Sequence, residues 1–239
     1  MYRTLRAGPI VATSRKLTAR IAERFPDSGL RRVALEVLEV AEASQATVKF
    51  IGRPIYGLRI AVWSLVVAIV AGLVAVLLSL NARGEGWSDL ASFLQVMEAG
   101  INDVILIGAA IFFLMSAEVR VKRRRALKAL HELRSLAHVI DMHQLTKDPE
   151  RLLLPGKDTA SSPERRLTAF ELSRYLDYCS ELLAILSKLA ALYAEHFDDS
   201  VALAAIDELE ALTNGLSRKI WQKMMIANTP RAGAAPAGF

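Results

Sequence analysis

The pattern of apolar and polar positions changes period several times along the chain. From Ile60 to Ala82 there are 23 consecutive residues without a charge. About 20 apolar residues suffice to cross a bilayer, and a helix apolar on every side is not the surface helix of a soluble domain. The expectation is a first transmembrane helix over 56–82. A second uncharged run, Val104 to Ala117, covers 14 residues. With Ile101, Asn102 and Asp103 at its outer edge it predicts a second span over 101–118. Between them, the loop 83–100 carries Leu90, Phe93, Leu94 and Met97 at i, i+3, i+4, i+7 after a capping Ser88-Asp89. That spacing predicts a short amphipathic helix, lying on the outer membrane face or packed against the spans.

The remaining segments have helical rather than uniform apolar spacing. Pro26-Asp27-Ser28 signals a start, followed by Val33, Val37, Val40 and Ser44. No Gly or Pro occurs between Gly108 and Pro149. The second span is therefore expected to continue as one helix through the extension 119–148. Glu118 to Lys147 alone would be about 45 Å long at 1.5 Å per residue. Val119, Ala126, Leu130, Leu133, Ala137 and Ile140 share one face, with Arg124, Lys128, His131 and His138 opposite. After a linker over 149–162, Ser161 and Glu164 are spaced as a capping box. The helix they introduce has two adjacent stripes. One is Leu172, Leu176, Cys179, Leu183, Leu186, Ala190 and Tyr193; the other is Tyr175, Tyr178, Leu182, Ile185, Leu189 and Leu192. Two stripes imply cover on more than one side, as in a bundle rather than a two-stranded coiled coil. A last helix starts near Asp198-Asp199-Ser200, turns Ile206, Leu209, Leu216 and Ile220 inward, and has a potential break at Asn214-Gly215. The bundle region is bounded at 163–227, and 228–239 reads as a disordered tail. The expected fold class is all-α: a two-span transmembrane helical hairpin with a cytoplasmic helical bundle.

Charge adds a direction. Residues 1–59 hold 11 Lys/Arg against 5 Asp/Glu, whereas 83–103 hold Arg83 against Glu85, Asp89, Glu98 and Asp103. Arg120, Lys122, Arg123, Arg124 and Arg125 follow the second span directly. Basic residues are retained on the cytoplasmic side, so both termini are expected inside, in a bacterial inner membrane. The net charge of +5 then reports topology and gives no reason to expect a nucleic-acid partner; the basic cluster would meet anionic headgroups of the inner leaflet. The N-terminal region 1–55 is read as an arm and a helix. Its first 25 residues hold six basic side chains and one acid, Glu23. That composition suits an arm against headgroups better than a cleaved transit peptide.

Candidate chemistry is sparse. The single Cys179 falls in an apolar stripe and reads as core. No P-loop, GxGxxG, GxSxG or HExxH occurs. His131 and His138 share a face, but at seven-residue spacing among cations they suit a pH-sensitive face better than a metal. No catalytic residue, cofactor or metal is expected. Asn102 and Asp103 are candidates for a polar pore mouth if several copies assemble. Ser64, Ala68 and Gly72, with Ala71, Ala75 and Ser79, form small-residue faces that would let helices approach in lipid. These features give two readings. The first is a non-enzymatic, membrane-anchored scaffold or adaptor, a homo-oligomer with a protein partner on its bundle. The alternative is a subunit of a homo-oligomeric membrane pore or ion channel.

Overall fold

The computed structural model describes residues 4–83, 90–147, 149, 160 and 167–227. Among these there are helices and no strand: α1 (Ala7–Arg24), α2 (Gly29–Ile51), α3 (Tyr56–Arg83), α4 (Leu90–Met115), α5 (Ala117–Leu145), α6 (Ala169–Ala194) and α7 (Ser200–Ala227). The chain divides into two compact units. Residues 53–124 form one; residues 1–52 and 125–239 together form the other.

The discontinuous unit is a helical bundle organised around α6, which packs on α1, α2 and most extensively on α7. All thirteen positions of the two expected α6 stripes are buried. That helix is enclosed by its neighbours, which a single amphipathic stripe would not require. Leu176, Leu182, Leu183, Leu186 and Leu189 are wholly inaccessible. The buried face of α5 is Ala126, Leu130, Leu133, Leu136, Ala137, Ile140 and Gln144. Val119, expected on that face, is exposed. In α7 the inward residues include Ile206, Leu209, Leu216 and Ile220.

The N-terminal segment, expected as an arm, is helical and packed: Ala7–Arg24 form α1, whose Ile10, Val11, Leu17 and Ile21 enter the bundle core. Their spacing of seven and four is helical, but the basic side chains between them mask it. Small residues bring α1 and α2 together, so that the Thr18 hydroxyl donates to the Ala34 carbonyl of α2 at 3.1 Å. Ser28 caps α2, its Oγ accepting the Arg31 N–H at 3.2 Å. Further along, the Tyr193 hydroxyl donates to Ser44 Oγ at 3.2 Å, fastening α6 to α2.

Three other boundaries differ from expectation. The Ser161–Glu164 cap lies outside the described residues; α6 is instead started by a capping box of Thr168 and Glu171. Asn214-Gly215 does not interrupt α7, because a solvent-side Gly in a helix costs only about 1 kcal/mol. Asp199 Oδ1 accepts the Ala202 N–H at 3.0 Å and caps that helix.

In the other unit, α3 and α4 pack on each other. The expected outer-loop helix and the second span are one continuous helix, Leu90–Met115. Gly100, with no described atom within 4 Å of a potential Cβ, is tolerated inside it at the same small cost. The expected continuous helix from the second span into the extension is broken at Ser116, where α4 and α5 meet at a 40° bend. Side-chain hydrogen bonds account for the break. Ser116 Oγ donates to the Phe112 carbonyl at 2.7 Å. The Arg120 guanidinium takes the Phe113 carbonyl, the acceptor that an unbroken helix would offer to the Ala117 N–H.

The apolar surface of this unit faces outward. Ile60 is 69% exposed and Phe112 75%, and Trp63, Val67, Leu78, Ile105 and Phe113 are similarly open. Among the described residues one helical stretch, running into α3, is long and apolar enough to cross a membrane; the bent α4–α5 pair makes up to two. Only 6% of the apolar window is buried, unlike the core helix of a soluble protein.

Candidate functional site

The best-defined polar constellation in the 53–124 unit forms where α3 begins and α5 begins. Ile55 precedes α3, and its carbonyl accepts the first helical bond, from Arg59 N–H at 3.0 Å. Its own N–H is an orphan of the helix start. Glu118, in the first turn of α5, supplies the acceptor: Oε1 lies 3.3 Å from Ile55 N. The same carboxylate receives Arg59 Nε at 2.6 Å and Lys122 Nζ at 2.8 Å. Glu118 and Lys122 are 13% and 12% exposed, while Arg59 is 55% exposed, so the network is shielded on the Lys122 side and open on the Arg59 side. A carboxylate at the start of α3 also meets the positive end of that helix. The arrangement therefore fastens the entry of α3 to the start of α5. Beside it, Leu58, Val62, Trp63, Leu114, Met115 and Val119 line an apolar cleft of about 270 Å³ that ends on the Arg59–Glu118 pair.

The basic cluster is engaged more than its composition suggests. Arg120 lies over the Phe113 ring at 3.8 Å, Lys122 is held by Glu118, and Arg125 lies over Phe50 at 4.2 Å. Arg124 is exposed and Arg123 is half-buried. Asn102 and Asp103 are both exposed on α4. Of the small-residue faces, Ser64, Ala68, Ala71, Gly72 and Ala75 are exposed on α3. Ser64 returns its hydroxyl to the Ala61 carbonyl at 2.9 Å. No described atom lies within 4 Å of a potential Cβ at Gly72. The side chain of Ser79 lies outside the described residues.

His131 and His138 are both exposed on α5. His131 borders a small cleft beside the ion pair of Arg134 with Glu208. Among the described residues no group of three or more His, Cys, Asp or Glu side chains is placed to hold a metal ion. Cys179 is inaccessible, and burial pushes its thiol up to about 12, so thiolate chemistry at neutral pH is closed to it.

Two contacts were not visible in the sequence. Arg59 and Glu118 are 59 residues apart, and nothing local pairs them. His143 lies against Gly29 at the start of α2, and nothing local pairs them either.

Compared with known proteins, the chain matches no family model, no curated protein and no solved structure.

Proposed function

We propose that the protein is a membrane-anchored, non-enzymatic scaffold or adaptor whose helical bundle is its working domain. The observation that carries this reading is the division of labour between the two units. One has an outward apolar surface; the other fills its core with its own helices. In the proposed arrangement α3 and α4 are the two spans of a hairpin in the bacterial inner membrane. Topology supports two crossings over one. The bundle is assembled from segments both before and after the apolar unit, so both segments lie on one side of any membrane. An unburied apolar helix that leaves that side needs a partner to return. Retention of basic residues makes that side cytoplasmic. The Glu118 network favours the hairpin too, because it ties its two cytoplasmic ends.

The small-residue face of α3, exposed at its described positions, favours homo-oligomers. Assembly with the exposed Asn102 and Asp103 near one axis is what the pore alternative needs. Mass measurement in detergent followed by ion-flux assays in liposomes separates the two. The scaffold reading expects defined oligomers without flux. A closed ring whose conductance falls with Asp103→Asn would replace it with the pore. A strict monomer removes the pore and weakens the scaffold.

A further inference from the structure

The α1–α2 corner, the end of α5 and the first turns of α6 border an open cleft of about 400 Å³. This volume lies in the range of small-molecule sites. Its floor is aromatic. Phe25 and Tyr175, both nearly inaccessible, meet edge to face with ring centroids 5.5 Å apart. Its walls are basic and come from three places: Arg24 at the end of α1, His143 in the last turn of α5, and Lys147 just beyond it. The Arg24 guanidinium lies 5.3 Å from the Phe170 ring centroid, and Lys147 Nζ lies 5.2 Å from that of Tyr175. A ring face attracts a cation without neutralising it; Arg24 is also in the field of Glu171, while Lys147 faces the cleft. The acids nearby are Asp27 and Glu171. Asp27 borders the cleft, while the Glu171 carboxylate accepts both the N–H and the hydroxyl of Thr168 at 2.8 Å. The positive end of α2 opens here as well.

Gly29 makes this a fitted site rather than a basic surface. A Cβ on Gly29 would stand 2.3 Å from His143 Cε1, so the imidazole lies against a bare Cα. The charged groups facing it are Arg24 from α1, Asp27 from the turn, Arg32 from α2 and Lys147. Tyr175 of α6 stays a neutral donor, since burial pushes its hydroxyl up. Burial, then Arg32 and Lys147, hold the imidazole below its ordinary range. Among the lining residues Arg24 and Lys147 outnumber Asp27, and Glu171, just outside the lining, shares the field of Arg24.

We propose that this cleft binds a phosphoryl-bearing small molecule or headgroup, with Arg24, Lys147 and His143 on the phosphoryl oxygens and the aromatic floor under the organic part. Two cations, Arg24 and Lys147, with the titratable His143 ring beside them, suit a dianion better than a single carboxylate. The space exceeds what a bare ion needs. A bound anion would favour the imidazolium, so binding and protonation of His143 reinforce each other by linkage. The inference does not depend on the membrane reading.

The test uses the full chain in a neutral detergent, with inorganic phosphate and glycerol 3-phosphate as probes in calorimetry. Wild type is expected to bind glycerol 3-phosphate more tightly than phosphate and, relative to His143→Gln, to gain at least about threefold in affinity at pH 6 over pH 8. Arg24→Gln and Lys147→Gln should each weaken binding about tenfold. Arg24→Lys and Lys147→Arg should retain most of it, and Arg15→Gln, in an exposed pair with Glu42 elsewhere on α1, should change nothing. Circular dichroism accompanies each variant, and the charge-retaining pair keeps the comparison on folded protein. His143→Gln should keep only the pH dependence of the ligand's own second ionisation, at about pH 6. A second arm places the protein in nanodiscs of phosphatidylcholine, with or without phosphatidylglycerol, and follows the His143 ring by NMR. A rise in its titration only with phosphatidylglycerol, without soluble-phosphate binding, identifies a lipid headgroup as the source of the phosphoryl group. Binding in neither arm, or binding undiminished in both Gln variants, overturns the proposal.

Discussion

At Glu118 one carboxylate serves two cations and a backbone N–H, so its removal strands three donors at once. Glu118→Gln should destabilise the α3–α5 junction by about 1–3 kcal/mol, because Lys122 is then left largely buried beside a neutral amide. The check is a lower melting temperature in detergent than for Glu42→Gln, whose carboxylate is in an exposed pair. His143 behaves in the opposite sense to a histidine that gains an acidic partner. Its folded-state pKa is depressed by burial and by Arg32 and Lys147, so the unfolded chain binds the proton more readily. Its contribution is complete above the ordinary value near 6.5 and is lost as pH falls through that value toward the depressed one. Melting temperature in phosphate-free buffer should therefore fall from pH 7.5 to 5.5, and His143→Gln should flatten that segment. Glu171, whose folded pKa is lowered by hydrogen bonds from Thr168, loses its share only at lower pH, below its ordinary carboxylate value, so the two windows separate. Gly29→Ala should expel the ring and return the His143 titration toward 6.5, read by NMR. Cys179 should resist maleimide until the bundle unfolds, as its inaccessible thiol is held up to about 12.

Helices were legible where one periodic signal dominated. The two stripes of α6 are dense enough that their overlap can only mean enclosure, and all of their residues are buried. Leu183→Ala in this helix should cost about 2–5 kcal/mol, against a few tenths for Leu35→Ala on the open face of α2; chemical unfolding midpoints decide it. Legibility failed where side chains competed with the pattern. In α1 the arginines and lysine between Val11 and Ile21 made a core helix look like a basic arm. At Ser116 an uninterrupted run without Gly or Pro suggested continuity. The break comes from Arg120 reaching back to the Phe113 carbonyl, a contact that propensity does not register. The start of α6 moved for a related reason: Thr168 and Glu171 offer the same reciprocal cap as Ser161 and Glu164, and the spacing rule alone does not choose between them. Among the site residues, Asn102, Asp103 and the described small α3 positions are exposed. The Glu118 network and the phosphoryl cleft join elements distant in sequence, which no local pattern encodes.

For the whole molecule, the proposed topology makes a direct prediction. In a Cys179→Ala background, Ser88→Cys should react with an impermeant maleimide only from the outer side, and Thr146→Cys only from the inner side. Labelling of both from one side would remove the hairpin. The bundle has a further property that follows from its discontinuous construction. Arg20 of α1 grips Glu181 of α6 at 2.5 Å across 161 residues of chain, with the whole apolar unit between them. The early half, α1 and α2, must hold Leu17, Ile21, Val33 and Val37 in waiting until α6 has been synthesised. Their mutual affinity is then helped by the intervening chain acting as a tether, which raises the local concentration of one half about the other. Severing the polypeptide between α3 and α4 removes only that tether. Fragments 1–88 and 89–239, produced together, should therefore purify as one complex through the α1–α6 and α2–α6 contacts. Arg20→Glu should loosen that complex far more than it loosens the intact protein.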